Sequence, residues 1–152
     1  MRSKVSLAVA VLLSVTALPL CAAGIDGKPA DLESIQALEA RAKAAEPREQ
    51  CFLYAELVHQ MTELSVREYA AGDVARAMDM LKDIQQLAQK IPRAIAANNK
   101  HMKDAEILLR HTAFRLNEML HGTRYEDRPL VEATLTDVSQ AQREAMLQVF
   151  KK

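Results

Sequence analysis

Glycine and aromatic side chains are scarce in this chain of 152 residues, which holds four glycines, three tyrosines, three phenylalanines and no tryptophan. Sandwiches and barrels need many turn glycines and aromatic-rich strands, and nucleotide-binding folds need glycine-rich loops, so this poverty argues against all three. Neither sign of charge is in excess, with 20 Lys plus Arg against 20 Asp plus Glu. A balanced chain has no long-range field to favour nucleic acid and, on net charge, no broad basic patch for an anionic membrane. What is abundant is Ala, Leu, Glu, Gln, Lys and Arg, all strong helix formers, in a length that suits one domain. The expected fold is all-α.

The first segment reads as an address. Arg2 and Lys4 precede an apolar stretch, Val5 to Leu13 and Val15 to Leu20, closed by Pro19 and the small residues Cys21, Ala22, Ala23 and Gly24. That order is a basic region, a hydrophobic region and a cleavage site, and the run is shorter than the ~20 apolar residues of a membrane span. Residues 1–23 are therefore expected to be a cleavable signal peptide, 24–30 a flexible mature N-terminus and 31–152 a single helical domain that is periplasmic or secreted. Lipidation at Cys21 is the alternative, but Leu20 stands where a small residue is needed. Cleavage removes Arg2 and Lys4, so 18 basic and 20 acidic residues remain and the mature chain carries −2. It also leaves Cys51 alone, which excludes an internal disulfide.

Proline and glycine divide the rest, because Pro suits the first turn of a helix and Gly the residue beyond its end. Pro29, Pro47 and Pro129 read as starts, and Gly72 and Gly122 as ends. Helices are expected over about 31–45, 47–71 and 127–150, with Asp31, Asp73 and Asp127 as N-caps. The 47–71 helix has two apolar faces, one through Phe52, Ala55, His59, Thr62, Val66 and Tyr69 and another through Tyr54, Leu57, Met61 and Leu64, so it should be contacted on two sides. A seam at strict three- and four-residue spacing runs from Val74 through Ala77, Leu81, Ile84, Ala88 and Ile91, and continues in phase past Pro92 to Leu116 and Met119. Preserved phase favours antiparallel hairpins on one long helix kinked near Pro92, roughly 70 Å long over residues 74–119. A genuine break there would instead give a compact four- to five-helix bundle.

Leu64, Tyr69, Gly72-Asp73, Ala77 and Leu81 occupy turn and packing positions of a tetratricopeptide hairpin, and residues 64–84 resemble one such unit. The resemblance implies peptide or protein binding on a concave face. It covers one repeat, with no second copy near 34 residues, so no binding residues carry over. In size and leader the chain also resembles small exported helical chaperones and stress sensors, whose Leu-Thr-x-x-Gln element is approximated by Leu135-Thr136-Asp137-Val138-Ser139-Gln140 with the glutamine one place late.

Chemistry has few places to reside. Glu56-x-x-His59 and Glu118-x-x-His121 each put a carboxylate and an imidazole on one helical face, and the two pairs resemble the ligand set of ferritin-like di-iron bundles. Glu39 and Glu132 or Glu144 would complete it. Against that, His121 precedes Gly122, where a histidine suits the last carbonyls of a helix. A single surface metal on His111, Phe114, Glu118 and His121's shared face is a further option. Ser34, Ser65 and Ser139 lie in helices outside any nucleophile motif. The connector Thr123-Arg124-Tyr125-Glu126-Asp127-Arg128 offers Tyr125, Arg124 and Arg128, residue types enriched at interface hot spots.

These features describe an exported non-enzymatic protein without a cofactor, a protein-interaction or scaffold module of the cell envelope that binds a protein partner or itself through spare apolar surface on the 47–71 helix. No nucleic acid and no transmembrane anchor are expected. Metal binding, with iron or another divalent ion, and a chaperone or stress-sensor role are the alternatives.

Overall fold

The computed structural model describes residues 29–95 and 99–151. The expected signal peptide, its expected cleavage or lipidation site and most of the expected flexible N-terminus lie outside the described residues. Five helices follow in order: α1 Leu32–Ala44, α2 Pro47–Ala70, α3 Val74–Ala88, α4 Met102–Gly122 and α5 Arg128–Val149, with a 3₁₀ turn at Pro92–Ala94.

Local chemistry accounts for the ends. Asp31 accepts from the Ser34 amide at 2.8 Å while the Ser34 hydroxyl receives the Asp31 N–H, a reciprocal cap that starts α1. Pro47 opens α2, where its missing N–H costs nothing. At the other end Gly72 takes φ +92°, and the amides of Gly72 and Asp73 return to the carbonyls of Tyr69 and Glu68. That is the glycine-terminated stop expected at this position. Asp73 then accepts from the Arg76 amide and starts α3 one residue later.

The single long helix over 74–119 does not form. Pro92 has no N–H to give back to Ala88, so the last turn tightens into 3₁₀ bonds, Lys90 to Leu87 and Ile91 to Ala88, and the chain leaves the helix extended at Ile95. It re-enters through His101, a non-glycine residue at φ +57°, beside which Lys100 donates its amide to the Arg48 carbonyl. The His101 ring lies 5.2 Å from that of Phe52, and Lys100 Nζ pairs with Glu49 at 2.9 Å. These contacts dock the returning chain on the first turns of α2.

Cross-helix bonds give the register. His59 meets Thr112, Glu63 meets Arg115, and Tyr69 meets Arg124, so α4 runs parallel to α2 along its whole length. Helix α2 packs against α1, α3 and α4, and α5 packs against α3 and α4. The four longest helices therefore form a square in the order α2, α3, α5, α4, with α1 laid on the outside of α2. Connection 89–101 must cross a diagonal of that square, which is why it is the longest link and why the 3₁₀ turn touches both α2 and α5. This is the compact bundle. Phase survives the break because α3 and α4 each turn their stripe toward the same interior: Ala77, Leu81, Ile84, Ala88 and Ile91 from one limb and Ala105, Leu109, Leu116 and Met119 from the other are buried.

Candidate functional site

No helix among the described residues is long and apolar enough to cross a membrane. The spare apolar face expected on α2 is also gone. Ala55, Leu57, Val58, Met61 and Leu64 are buried, Phe52, Tyr54, Val66 and Tyr69 are half-buried against the core, and α1, α3 and α4 cover all of them. A helix with two apolar faces is here the central helix. Large apolar side chains that stay exposed lie elsewhere: Phe114 on the outer face of α4, Tyr125 in the α4–α5 connection, and Leu147 and Phe150 at the end of α5.

The two Glu-x-x-His pairs are not brought together. With residue 59 level with residue 112, His121 stands nine residues further along α4, about 14 Å higher at 1.5 Å per residue. His121 instead donates to the Asn117 carbonyl at 2.7 Å, Glu118 is held by Arg115 at 2.8 Å, and Glu39 pairs with Lys43. Glu132 is exposed on the upper part of α5, and Glu144 accepts from the Gln140 amide. His111, Phe114, Glu118 and His121 do share the solvent face of α4, but the outer two are ten residues apart. Among the described residues no group of three or more His, Cys, Asp or Glu side chains gathers as a metal site. Two of the three serines have structural partners: Ser34 caps α1 and Ser65 donates to the Ala77 carbonyl at 3.0 Å. Burial raises the Cys51 thiol to about 11, so it stays protonated.

His59, expected as a ligand of a di-metal set, is instead a half-buried group bonded across to α4. The Thr112 hydroxyl spends its one proton on the Leu108 carbonyl at 2.8 Å, so it can only accept from His59 Nδ1–H at 3.1 Å. That fixes Nδ1 as a protonated ring nitrogen between α2 and α4, whether or not Nε2 also carries a proton. Desolvation lowers the imidazole's pKa below the usual 6.5, Glu63 pulls it up, and His111 and Arg115 push it down. The unfolded chain thus binds a proton in a range where the folded one does not. The contribution of His59 to stability is fully present above about pH 6.5 and is lost as the pH drops below it, and that part of the loss should disappear in His59→Gln. Urea midpoints at pH 7.5 and pH 5 in both proteins measure this; an equal loss in the two would assign it to other groups.

The tip made by residues 123–128 is built as a fixed object. The Tyr69 hydroxyl, at the end of α2, receives the Arg124 amide at 3.0 Å and donates to Asp127 Oδ2 at 3.0 Å. Below it the buried Thr123 donates to the Met119 carbonyl at 2.7 Å, and Arg128 Nε donates to the Thr123 carbonyl at 3.2 Å. Asp127 is therefore not the side-chain cap expected of it: its carboxylate is taken by Tyr69, and Pro129 in the first turn of α5 leaves one donor fewer to satisfy. Arg128 likewise braces the tip. Between these fixed points Tyr125 is 86% exposed, with the Arg124 side chain exposed beside it. In the sequence Tyr69 was legible as part of an apolar face and as a packing position of the 64–84 hairpin; its hydroxyl was the signal that it served something else. Tyr69→Phe should cost about 1–2 kcal/mol by leaving the Arg124 N–H and Asp127 unsatisfied, and should speed hydrogen exchange at Arg124. Unchanged exchange there would mean that the tip is held by other bonds.

Compared with models of known families, with curated proteins and with solved structures, the chain has no significant match.

Proposed function

We propose that the chain is a non-enzymatic protein-interaction module of the cell envelope, carried there by its leader, and that Tyr125 with Arg124 is the anchor by which it holds a partner protein. The observation that carries this reading is the brace under the tip. An exposed tyrosine on a slack turn loses rotamer and backbone freedom when it binds, whereas one on a loop tied at Thr123, Arg124, Asp127 and Arg128 has given up most of it beforehand. Tyrosine and arginine are also the side chains that most often dominate binding energy, because each offers a large rigid surface with a polar end.

The test is a photo-crosslinking amino acid at position 125 in the producing cell, with the same group at exposed Glu132 as the control. A discrete adduct from 125 alone is expected, and once the partner is identified Tyr125→Ala should weaken the isolated complex by roughly 30-fold, the loss of an interface anchor. Identical patterns from 125 and 132, or full affinity in Tyr125→Ala, would end the proposal. An adduct at twice the chain mass identifies the partner as a second copy.

A further inference from the structure

The zero net charge of the sequence conceals a separation of charge along the bundle. Because α1, α3 and α5 run one way and α2 and α4 the other, the register divides the described chain into two ends. The end bearing the α3–α4 connection comprises residues 38–58, 82–95, 99–112 and 139–151, with eleven basic and eight acidic side chains; the end bearing Tyr125 comprises 29–37, 59–81 and 113–138, with five basic and eleven acidic. One end is therefore +3 and the other −6.

Helix dipoles explain part of this. Arg41, Lys43, Lys90 and Lys151 lie at or just beyond the C-termini of α1, α3 and α5, where cations are favoured. Arg48, Lys100 and Lys103 have no such reason: they stand at the N-termini of α2 and α4, where the dipole favours acids, and of the three Lys100 alone has a carboxylate, Glu49, to pair with among the described residues. The cations at this end thus exceed what capping requires. At the same end of the bundle α5 and its C-cap expose Leu147 by 58% and Phe150 by 76%, with Arg143 and Lys151 on the same stripe and Met146 at its margin. At this end too Arg93, on the 3₁₀ turn that touches α5, and Lys103 are exposed with no carboxylate partner among the described residues.

Cations in excess of structural need, at the same end of the bundle as exposed aliphatic and aromatic side chains, are the complement of a surface that is anionic outside and apolar just beneath. We propose that this end of the bundle docks on an anionic phospholipid membrane, with Leu147 and Phe150 entering at headgroup depth and Arg93, Lys103, Arg143 and Lys151 over the phosphates. A nucleic acid backbone would use the cations but has no use for Leu147 and Phe150 protruding at the same end. Docked in this way, the bundle holds its acidic end and Tyr125 away from the membrane by about the 36 Å length of its 24-residue central helix. The inference is independent of the partner assigned to Tyr125, and its failure would leave that assignment standing.

Co-sedimentation of residues 24–152, which contain every described helix, with phosphatidylcholine vesicles with and without phosphatidylglycerol provides the test. Binding is expected to the anionic vesicles only, and to weaken with salt. Arg93→Glu with Lys103→Glu should lower partitioning by roughly 25-fold or more, about five-fold for each cation lost. Leu147→Ser with Phe150→Ser should lower it as well, while both variants keep the wild-type melting temperature because all four side chains are exposed. Equal binding to neutral vesicles, or undiminished binding by either variant, would overturn the proposal. So would a DNA duplex that binds as tightly as the anionic vesicles and does not discriminate the Leu147/Phe150 variant, since the end would then be a general polyanion site.

Discussion

Leu109→Ala should lower the melting temperature by about 10 °C, whereas Phe114→Ala, five residues along the same helix, should move it by no more than 1–2 °C. Leu109 is fully buried in the α4 stripe that faces the interior of the square, and Phe114 points to the opposite side and is 61% exposed. Truncating a buried leucine removes its transfer free energy and leaves a hole that rigid neighbours fill only in part, costing about 3 kcal/mol of the roughly 5–15 available to a domain. For a chain of this size each kcal/mol displaces the melting temperature by roughly 3–5 °C.

A second large effect comes from the opposite kind of change. Gln142 reaches Glu106 at 2.8 Å, which places Ala105 of α4 level with Ala141 and Ala145 of α5, and all three are fully buried. Small residues at a helix crossing let the two backbones approach closely, and a close-packed interface has no room to give back. Ala141→Leu should therefore destabilise by about 1–3 kcal/mol through forced rotamers and separated helices, although leucine is more hydrophobic than the residue it replaces. A melting temperature equal to or above that of the wild type would show that α4 and α5 are not in close contact at this level.

The limits of the sequence are visible in particular residues. Helix ends at Asp31, Pro47 and Gly72 were legible because each depends on a side chain or a backbone conformation within a few positions of itself; Gly122 marked the end of α4 to within one residue, but as its last helical residue and without a left-handed φ. The stripe through residues 74–119 identified the buried side chains correctly and the path of the chain wrongly. Periodicity records which side of a helix is covered, and two helices folded back on one interior satisfy it as well as one straight helix does. Pro92 carried the missing information, because a residue without an N–H ends the hydrogen-bond ladder whatever the phase on either side. The same blindness to level affects the Glu-x-x-His pairs: spacing places each carboxylate and imidazole on one face, and only the register of α4 on α2 shows His121 to be about 14 Å above His59. Charge was misleading in another way, since 20 against 20 is a statement about a sum, and the alternating direction of the helices determines how that sum is distributed between the two ends.

The parallel run of α4 along α2 supports everything else, because it sets the braced tip at one end, gathers the cations at the other and separates the two histidines. Glu63 and Arg115 face each other across that interface at 2.8 Å. In a bundle, cysteines replacing both should be joined rapidly within one chain by a short bis-maleimide. On a continuous 74–119 helix, residue 115 would lie roughly 54 Å beyond the part of the helix that pairs with residue 63. A monomer that becomes internally crosslinked, and migrates faster on a denaturing gel, is the result expected; a double-cysteine protein that yields only unlinked chains or covalent dimers would contradict the fold and both inferences drawn from its ends.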